Sequence, residues 1–209
     1  MVFVSVVGAT GEVTCYWKSE TFANPPATHA SDKTMDQYSP TGTTDNIVTL
    51  DPDEEAWWYV ENAAQCDLSF PLGNWIITCW IETNSPDNER VTIYVYNITN
   101  AGEEKQIDGS RYKSLSSAEG FYKLSKTFTT DSALNIYEGD RIAVRVTFSS
   151  AAEAGEWLKI HYNSISYDSS LTSPPNSPVC PVPELSTLIL LSIGLITLAG
   201  YVLLTKKRN

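Results

Sequence analysis

Short runs of aromatic and β-branched residues recur along the chain and are separated by polar turns. Such residues are enriched in β-strands, where they pack on a half-buried pleated surface. In 141–148 they alternate with polar residues, so Ile142, Val144 and Val146 fall on one face of the predicted strand. The pattern predicts strands at 13–17, 75–81, 91–96, 121–128, 141–148 and 157–162.

Many short strands with polar turns between them, and no long stretch of helical periodicity, favour an all-β domain. We expect residues 13–168 to form an antiparallel β-sandwich of the jelly-roll type. Residues 19–55 differ from the rest of this domain because they are polar, contain four prolines and have little periodicity. We expect them to form one long loop, which in a compact domain is usually functional or mobile.

The carboxyl-terminal part of the chain has a different pattern. Leu185 to Leu204 form an uninterrupted run of 20 uncharged residues. At a rise of about 1.5 Å per residue, a helix of this length crosses a hydrocarbon core roughly 30 Å thick. We therefore predict a transmembrane or sorting helix over 184–205, with the lipid bilayer as a partner. The basic tail 206–209 favours a cytoplasmic carboxyl terminus and a β-domain outside the cell, its cations being Lys206, Lys207 and Arg208.

Two further segments flank the predicted β-domain. Residues 169–183 are rich in proline and serine, which favours an extended, semi-rigid stalk. Residues 1–12 fit two interpretations, which the sequence leaves open. Their apolar run followed by Gly8, Ala9 and Thr10 is typical of the end of a truncated signal peptide, and the same run also suits a first strand.

The net charge of −11 narrows the classes of partner. A strongly acidic surface repels the phosphates of nucleic acid and the headgroups of anionic lipids. We therefore expect no nucleic-acid partner. The same charge suits a well-solvated domain outside the cell.

The four cysteines do not form a CxxC pair, which argues against a zinc site. Cys66 and Cys79 lie on either side of a turn sequence, 71–74. If the two apolar runs pair as a symmetric hairpin, these cysteines fall opposite each other within disulfide reach. An oxidising exterior permits that bond, and two buried free thiols remain the alternative.

Six tryptophans and eleven tyrosines suggest a site for sugars, because sugar rings stack on aromatic faces. The candidates are Trp17, Trp57, Trp58 and Tyr59. Adjacent residues of a strand point to opposite sides, so Trp57 and Trp58 cannot belong to one platform. The alternative is that these rings fill the core of the sandwich.

Two polar motifs are candidates for other chemistry. Asp51, Asp53, Glu54 and Glu55 place four carboxylates within five residues, which suits calcium, although a solvated acidic loop explains them equally. Asn97 begins an Asn-Ile-Thr sequon, which predicts glycosylation if the segment is exposed outside the cell.

Motifs for catalysis are absent from the sequence, which has no Gly-x-Ser-x-Gly elbow, phosphate loop or HExxH zinc motif. Its two histidines are His29, in the Pro-rich segment, and His161, in a predicted strand. We therefore expect no enzymatic activity and no cofactor.

The order of a Pro-rich spacer, Val182-Pro183-Glu184, an apolar span and a terminal basic cluster resembles the PEP-CTERM class of sorting signals and its archaeal PEF-type relatives. The resemblance covers 183–209. It implies that Pro183 and Glu184 mark the site recognised by a membrane-embedded sorting transpeptidase, which removes the span. We expect a cell-surface or extracellular-matrix protein that displays a β-sandwich. The alternative is a surface carbohydrate-binding module whose partners are surface glycans.

Overall fold

The computed structural model describes residues 10–26, 31–84, 90–113, 120–130, 132–148 and 155–178. None of these residues forms a helix, and they build fifteen β-strands. The strands are β1 Thr10–Gly11, β2 Thr14–Thr21, β3 Ser31–Asp36, β4 Asn46–Leu50, β5 Glu55–Val60, β6 Leu68–Phe70, β7 Gly73–Thr83, β8 Arg90–Ile98, β9 Glu104–Lys113, β10 Gly120–Thr130, β11 Leu134–Ile136, β12 Arg141–Thr147, β13 Leu158–Tyr162, β14 Ser170–Thr172 and β15 Ser177–Pro178. The six strands predicted from the sequence all exist.

One eleven-stranded sheet contains most of these strands, in the order β4-β13-β7-β14-β2-β3-β5-β12-β8-β9, with β10 paired to the other side of β7. Two short pairs, β1 with β15 and β6 with β11, complete the fold. The prediction of an all-β fold is confirmed. The prediction of an entirely antiparallel fold is wrong in one place, because β3 and β5 run parallel. After β3 the chain crosses to the far edge of the sheet, where it forms β4. It then returns and pairs with β3 as β5.

The large sheet curls around a central core. Leu50 of β4 and Ile93 of β8 come from opposite ends of the strand order, yet both belong to the same buried cluster. At the centre the rings of Trp17 and Trp58 stack with their centroids 4.3 Å apart. The sheet must therefore curl until its two halves face each other, as in a sandwich.

The long loop predicted over 19–55 is wrong, because this segment supplies β3 and β4. Met35 is fully buried between its neighbours, and Val48 and Leu50 point into the core. These strands are short and carry many polar residues, so the apolar alternation is too brief to be recognised in the sequence. Their stability comes from pairing with distant strands.

The stalk predicted over 169–183 is wrong for its first ten residues. β14 lies inside the large sheet, between β2 and β7, and Leu171 is 2% exposed. Serine hydroxyls here are buried but hydrogen-bonded, as when the Val13 N–H donates to Ser173 Oγ at 3.0 Å. Satisfied hydroxyls let a serine-rich segment enter a core. Residues 179–183 lie outside the described residues.

The remaining terminal predictions fall largely outside the described part of the chain. Over that part, the structure contains no helix long and apolar enough to cross a membrane. The predicted span 184–205, the tail 206–209 and residues 1–9 are not among the described residues, and neither are the sorting residues Pro183, Glu184, Lys206, Lys207 and Arg208. Thr10 and Gly11 form β1 and pair with β15.

Candidate functional site

The disulfide predicted between Cys66 and Cys79 does not form. Cys66 is disulfide-bonded, whereas Cys79 is a buried free thiol. The predicted hairpin is absent, because β6 pairs with β11 and β7 pairs with β10. Cys79 consequently lies opposite Leu124 rather than opposite Cys66. Burial raises the pKa of the Cys79 thiol above its usual range, so it stays protonated.

The four aromatic residues predicted to bind sugars are all fully buried, at 0% exposure. Trp17 and Trp58 belong to the central core, and Trp57 and Tyr59 to a second cluster on the other face of the sheet. The prediction that Trp57 and Trp58 point to opposite sides is confirmed. None of the four presents a ring to solvent, so they form no open platform for a sugar.

The second cluster is held together by an arginine that packs among aromatic rings. The Arg145 guanidinium lies 4.4 Å from the ring centroid of Tyr94, 5.5 Å from that of Trp57 and 5.2 Å from that of Tyr96. Its charge is also paired with Glu55, 3.4 Å away. These contacts bury the face of the sheet that points away from the central core. They explain why that face carries so many aromatic residues.

The acidic segment 51–55 forms a turn rather than a metal site. The Asp51 N–H donates to Glu54 Oε2 at 2.9 Å, and Glu55 pairs with Arg145. Asp53 has a φ of 70°, the left-handed conformation that a tight turn requires. Within the described ranges no group of three or more His, Cys, Asp or Glu side chains is arranged to hold a metal.

The sequon asparagine is buried, which excludes its glycosylation in the folded domain. Asn97 is 7% exposed, and its Nδ2 donates to Asp140 Oδ2 at 3.0 Å. A glycan on Nδ2 would break this bond and place a bulky polar group in the interior. Asp140 also accepts from the Asn100 N–H at 2.9 Å, so the pair fixes the end of β8.

A patch that the sequence does not single out lies on the outer face of β4, β13, β7 and β10. Their registers place His161 beside Trp80, and Lys159 beside Glu82. On the far side of β7, Phe121 lies opposite Glu82. We call this group the His161 patch and define it as Asp45, Trp80, Glu82, Phe121, Lys159, His161, Tyr167 and Asp168.

The imidazole of His161 lies between two carboxylates. Its Nδ1 is hydrogen-bonded to Asp45 Oδ2, and its Nε2 lies 3.4 Å from Glu82 Oε2. Lys159 Nζ approaches the same Glu82 oxygen at 3.2 Å. Two buried atoms, Nε2 of His161 and Oδ1 of Asp45, have no hydrogen-bond partner among the described residues. The patch therefore holds polar groups with unused hydrogen-bonding capacity.

Three aromatic rings beside this histidine form the apolar part of the patch. The ring centroids of Trp80 and Phe121 are 5.7 Å apart, those of Trp80 and Tyr167 5.6 Å, and those of Phe121 and Tyr167 4.8 Å. Phe121 is 40% exposed, and the other two rings are partly exposed. The Trp80 indole is held by Asp168, to which its Nε1 donates at 3.2 Å.

Ser169 fixes the two strands that carry the centre of the patch. Its hydroxyl donates to the His161 carbonyl at 2.7 Å and accepts from the Trp80 N–H at 3.1 Å. The alternation of β7 already places Trp80 and Glu82 on the face opposite Cys79 and Ile81. The sequence contains that signal, but it does not reveal that His161 and Phe121 arrive from distant segments.

Comparison with known proteins gives a fold and no family. No protein-family model matches the sequence, and no curated protein matches it either. The structure is similar to a CocE/NonD family hydrolase from Staphylococcus aureus, with a TM-score of 0.56 and 12% identity over 80% of this chain and 37% of that chain. It is also similar to an aminopeptidase from a marine sediment archaeon, Thaumarchaeota archaeon, with a TM-score of 0.58 and 8% identity over 79% of this chain and 37% of that chain.

These likenesses overturn the expectation that the chain is not an enzyme, because the fold that it shares forms part of a hydrolase and part of an aminopeptidase. The chain spans 37% of the length of each of those structures. At identities of 12% and 8% the likeness establishes the fold alone.

Proposed function

We propose that the chain displays a jelly-roll-like β-sandwich outside the cell and binds glycans at the His161 patch. The observation that carries this proposal is the exposed ring of Phe121, grouped with Trp80 and Tyr167 beside the partly exposed ion pair of Lys159 and Glu82. Ligand sites commonly combine apolar aromatic surface with a few fixed polar groups.

The aromatic part of the patch suits the apolar face of a sugar ring. Phe121 offers 40% of its surface, and its neighbours Trp80 and Tyr167 extend the apolar area around it. Trp80 is anchored by its hydrogen bond to Asp168, so the indole loses little freedom when a ligand binds. A rigid aromatic surface of this kind supports stacking at low entropic cost.

The polar part of the patch suits sugar hydroxyls, which both donate and accept hydrogen bonds. Lys159 Nζ and Glu82 Oε2 lie 3.2 Å apart at the edge of the patch, and their side chains are 32% and 34% exposed. Carboxylates beside a cation can bind adjacent hydroxyl groups without a net charge on the ligand. The combination favours a neutral glycan over a nucleic acid, in keeping with the net charge of −11.

The proposed location rests on the carboxyl-terminal sequence. A 20-residue uncharged run followed by three cations is typical of a segment that anchors or sorts a protein at a membrane. The sorting transpeptidase and the bilayer are the partners that this segment implies. The disulfide at Cys66 suits an oxidising exterior.

A glycan array probed with the full chain tests the binding proposal. Phe121→Ala removes the exposed ring, and we expect it to weaken binding of the best glycan about fivefold, since a stacking contact contributes about 1 kcal/mol. Tyr137→Ala is the matched control, because Tyr137 is 59% exposed and lies outside the patch. Equal losses in the two variants, or no glycan bound by the wild type, would refute the site.

A second candidate function is hydrolysis at the same patch. Two observations favour it: the shared fold with a hydrolase and an aminopeptidase, and the bond between His161 and Asp45. A carboxylate bound to Nδ1 fixes the tautomer and the orientation of an imidazole, as a general base requires.

Assays of the full chain with p-nitrophenyl esters and aminoacyl anilides test this second candidate. Turnover that His161→Gln abolishes and Tyr137→Ala preserves would support hydrolysis at the patch. Absence of turnover, or turnover that His161→Gln leaves unchanged, would exclude it there and leave glycan binding unaffected.

A further inference from the structure

We propose that the glycan site continues from the His161 patch along the outer face of β7, and that it takes an extended stretch of a neutral, unbranched polysaccharide rather than a single terminal sugar. The extended site depends on the glycan binding proposed for the His161 patch and specifies the class of glycan that binds. The added surface, which we call the β7 strip, is defined as Thr14, Ile76, Thr78, Ser125, Thr127 and Thr172.

The β7 strip and the His161 patch share one face of the large sheet. Successive residues of a strand point to opposite faces, so Ile76 and Thr78 lie on the same side of β7 as Trp80 of the patch. On the neighbouring strand β10, Thr127 is opposite Ile76 and Ser125 is opposite Thr78. The surface is therefore continuous from the patch to Ile76.

Two more strands widen the strip at the level of Ile76. Thr172 of β14 is opposite Ile76, and Thr14 of β2 is opposite Thr172. The hydroxyls of Thr14 and Thr172 are hydrogen-bonded to each other at 3.0 Å, so their side chains lie on the same face. Four adjacent strands thus contribute one row of side chains across the sheet: Thr14, Thr172, Ile76 and Thr127.

The strip is open to solvent. Ile76 is 37% exposed, although strands pair with β7 on both of its sides, and Ser125 and Thr127 are exposed as well. The apolar side chain of Ile76 is thus available to the face of a sugar ring without rearrangement of the sheet. Asn74, the next residue on this face of β7, is also exposed, so the end of the strip away from the patch is open.

The strip consists of serine, threonine and isoleucine side chains and has no ionisable group, in a chain whose net charge is −11. Serine and threonine hydroxyls both donate and accept hydrogen bonds, as sugar hydroxyls do. A neutral polysaccharide can exchange its hydrogen bonds with water for bonds to these hydroxyls. An anionic polysaccharide would gain no counter-ion from the strip. The composition therefore favours a neutral glycan.

The length of the surface favours several sugar units. From Ile76 to Glu82 of the patch, β7 advances six residues, or about 20 Å at roughly 3.3 Å per residue. A single sugar ring is much shorter than this distance, so simultaneous contact with the patch and with Ile76 requires a chain of sugars. Because the strip is an open face rather than a closed pocket, a linear chain can continue past Asn74.

Calorimetric titration of the full chain with disaccharides and hexasaccharides tests the length of the site. The probes are cello-, manno-, xylo- and malto-oligosaccharides, which are all linear and neutral. We expect the hexasaccharide of at least one series to bind at least about tenfold more tightly than its disaccharide, a difference equivalent to about 1.4 kcal/mol. Failure of every hexasaccharide to bind, or equal affinities for the two lengths, would overturn the proposal.

Two variants assign that difference to the strip. Thr127→Arg places a large side chain over the strip, and Ile76→Ala removes its apolar contact. We expect each to weaken hexasaccharide binding at least about fivefold and to leave disaccharide binding unchanged. Asn135→Arg and Leu72→Ala are the matched controls, because both residues are exposed and lie outside the strip. Near-UV circular dichroism checks that every variant is folded. Full hexasaccharide affinity in either strip variant, or equal losses in a variant and its control, would count against the extended site.

The extended site and glycan binding itself fail in different ways. Glycans that bind through Phe121 without any dependence on their length would leave glycan binding at the patch in place and overturn only the extended site. If no glycan binds the wild type, glycan binding at the patch fails, and the extended site fails with it.

Discussion

Neighbouring side chains in this protein have different surroundings, and the sequence predicts only part of that difference. Alternation correctly predicts that Trp57 and Trp58 point to opposite faces. It does not predict that both faces are buried, because the outer face at Trp57 is covered by Phe22, Tyr94 and Arg145, which come from separate segments. An aromatic residue on the outer face of a strand therefore identifies neither a core nor a site by itself.

Arg145 should stabilise the domain more through its contacts with the surrounding aromatic rings than through its ion pair with Glu55. Arg145→Met keeps the apolar stem and removes the guanidinium, and we expect a loss of about 1–2 kcal/mol in the free energy of unfolding. Lys105→Met is the control, since the Lys105–Glu103 pair is exposed and should contribute less than about 0.5 kcal/mol. Urea unfolding measures both, and equal effects would contradict this role for Arg145.

Tyr162 should make the domain sensitive to alkali. Burial, and then the charges of Asp45 and Glu20, raise the pKa of Tyr162 from its ordinary value of 10.0 to about 12. The folded state therefore retains a proton that the unfolded state loses, so stability is full below pH 10 and falls as the pH rises towards 12.

Tyr162→Phe isolates this contribution. Urea unfolding at pH 8 and pH 11 should give a smaller alkaline loss in the variant than in the wild type, by at most about 1.4 kcal/mol per pH unit. The same alkaline loss in both proteins would show that Tyr162 ionises without cost in the folded state.

Single strands of this fold can be predicted from the sequence where the apolar alternation is long. The prediction is unreliable where the alternation is short. The eleven residues of β7 and the nine of β8 carry clear patterns. β3, β4 and β14 have at most six residues each and contain several polar residues. Whether these segments form strands depends on partners far along the chain. Their local sequence therefore indicates a loop and a stalk instead. The expected Cys66–Cys79 bond was wrong for the same reason, because β6 pairs with β11 rather than with its neighbour β7.

β14 should be essential to the domain. Leu171→Asp places a charge in the core, and we expect it to cost more than about 3 kcal/mol or to prevent folding. Leu72→Asp is the matched control, because Leu72 is 62% exposed, and it should cost less than about 0.5 kcal/mol. Circular dichroism and thermal unfolding distinguish the two. Native stability of Leu171→Asp would restore the interpretation of this segment as a stalk.

At the scale of the whole molecule, the sequence predicts the class of fold but not the order in which the strands pair. Period-two strands and polar turns are sufficient to predict an all-β domain. The strand order is not predictable in the same way, because β4 and β13 join β7 across large separations in sequence. The His161 patch exists only through that order. Its residues lie in five separate segments, so no local motif marks it.

The indole N–H signals of the full chain, followed by NMR during titration with the strongest glycan from the array, test the central claim most directly. The chain has six tryptophans, and each indole gives one signal. We predict that the Trp80 signal shifts, because its Nε1 is bonded to Asp168 inside the His161 patch. The signals of Trp17, Trp57, Trp58 and Trp75 should stay in place, since these rings are buried. A Trp80 signal that stays fixed while that of Trp57 shifts would contradict the account and return the site to the second aromatic cluster.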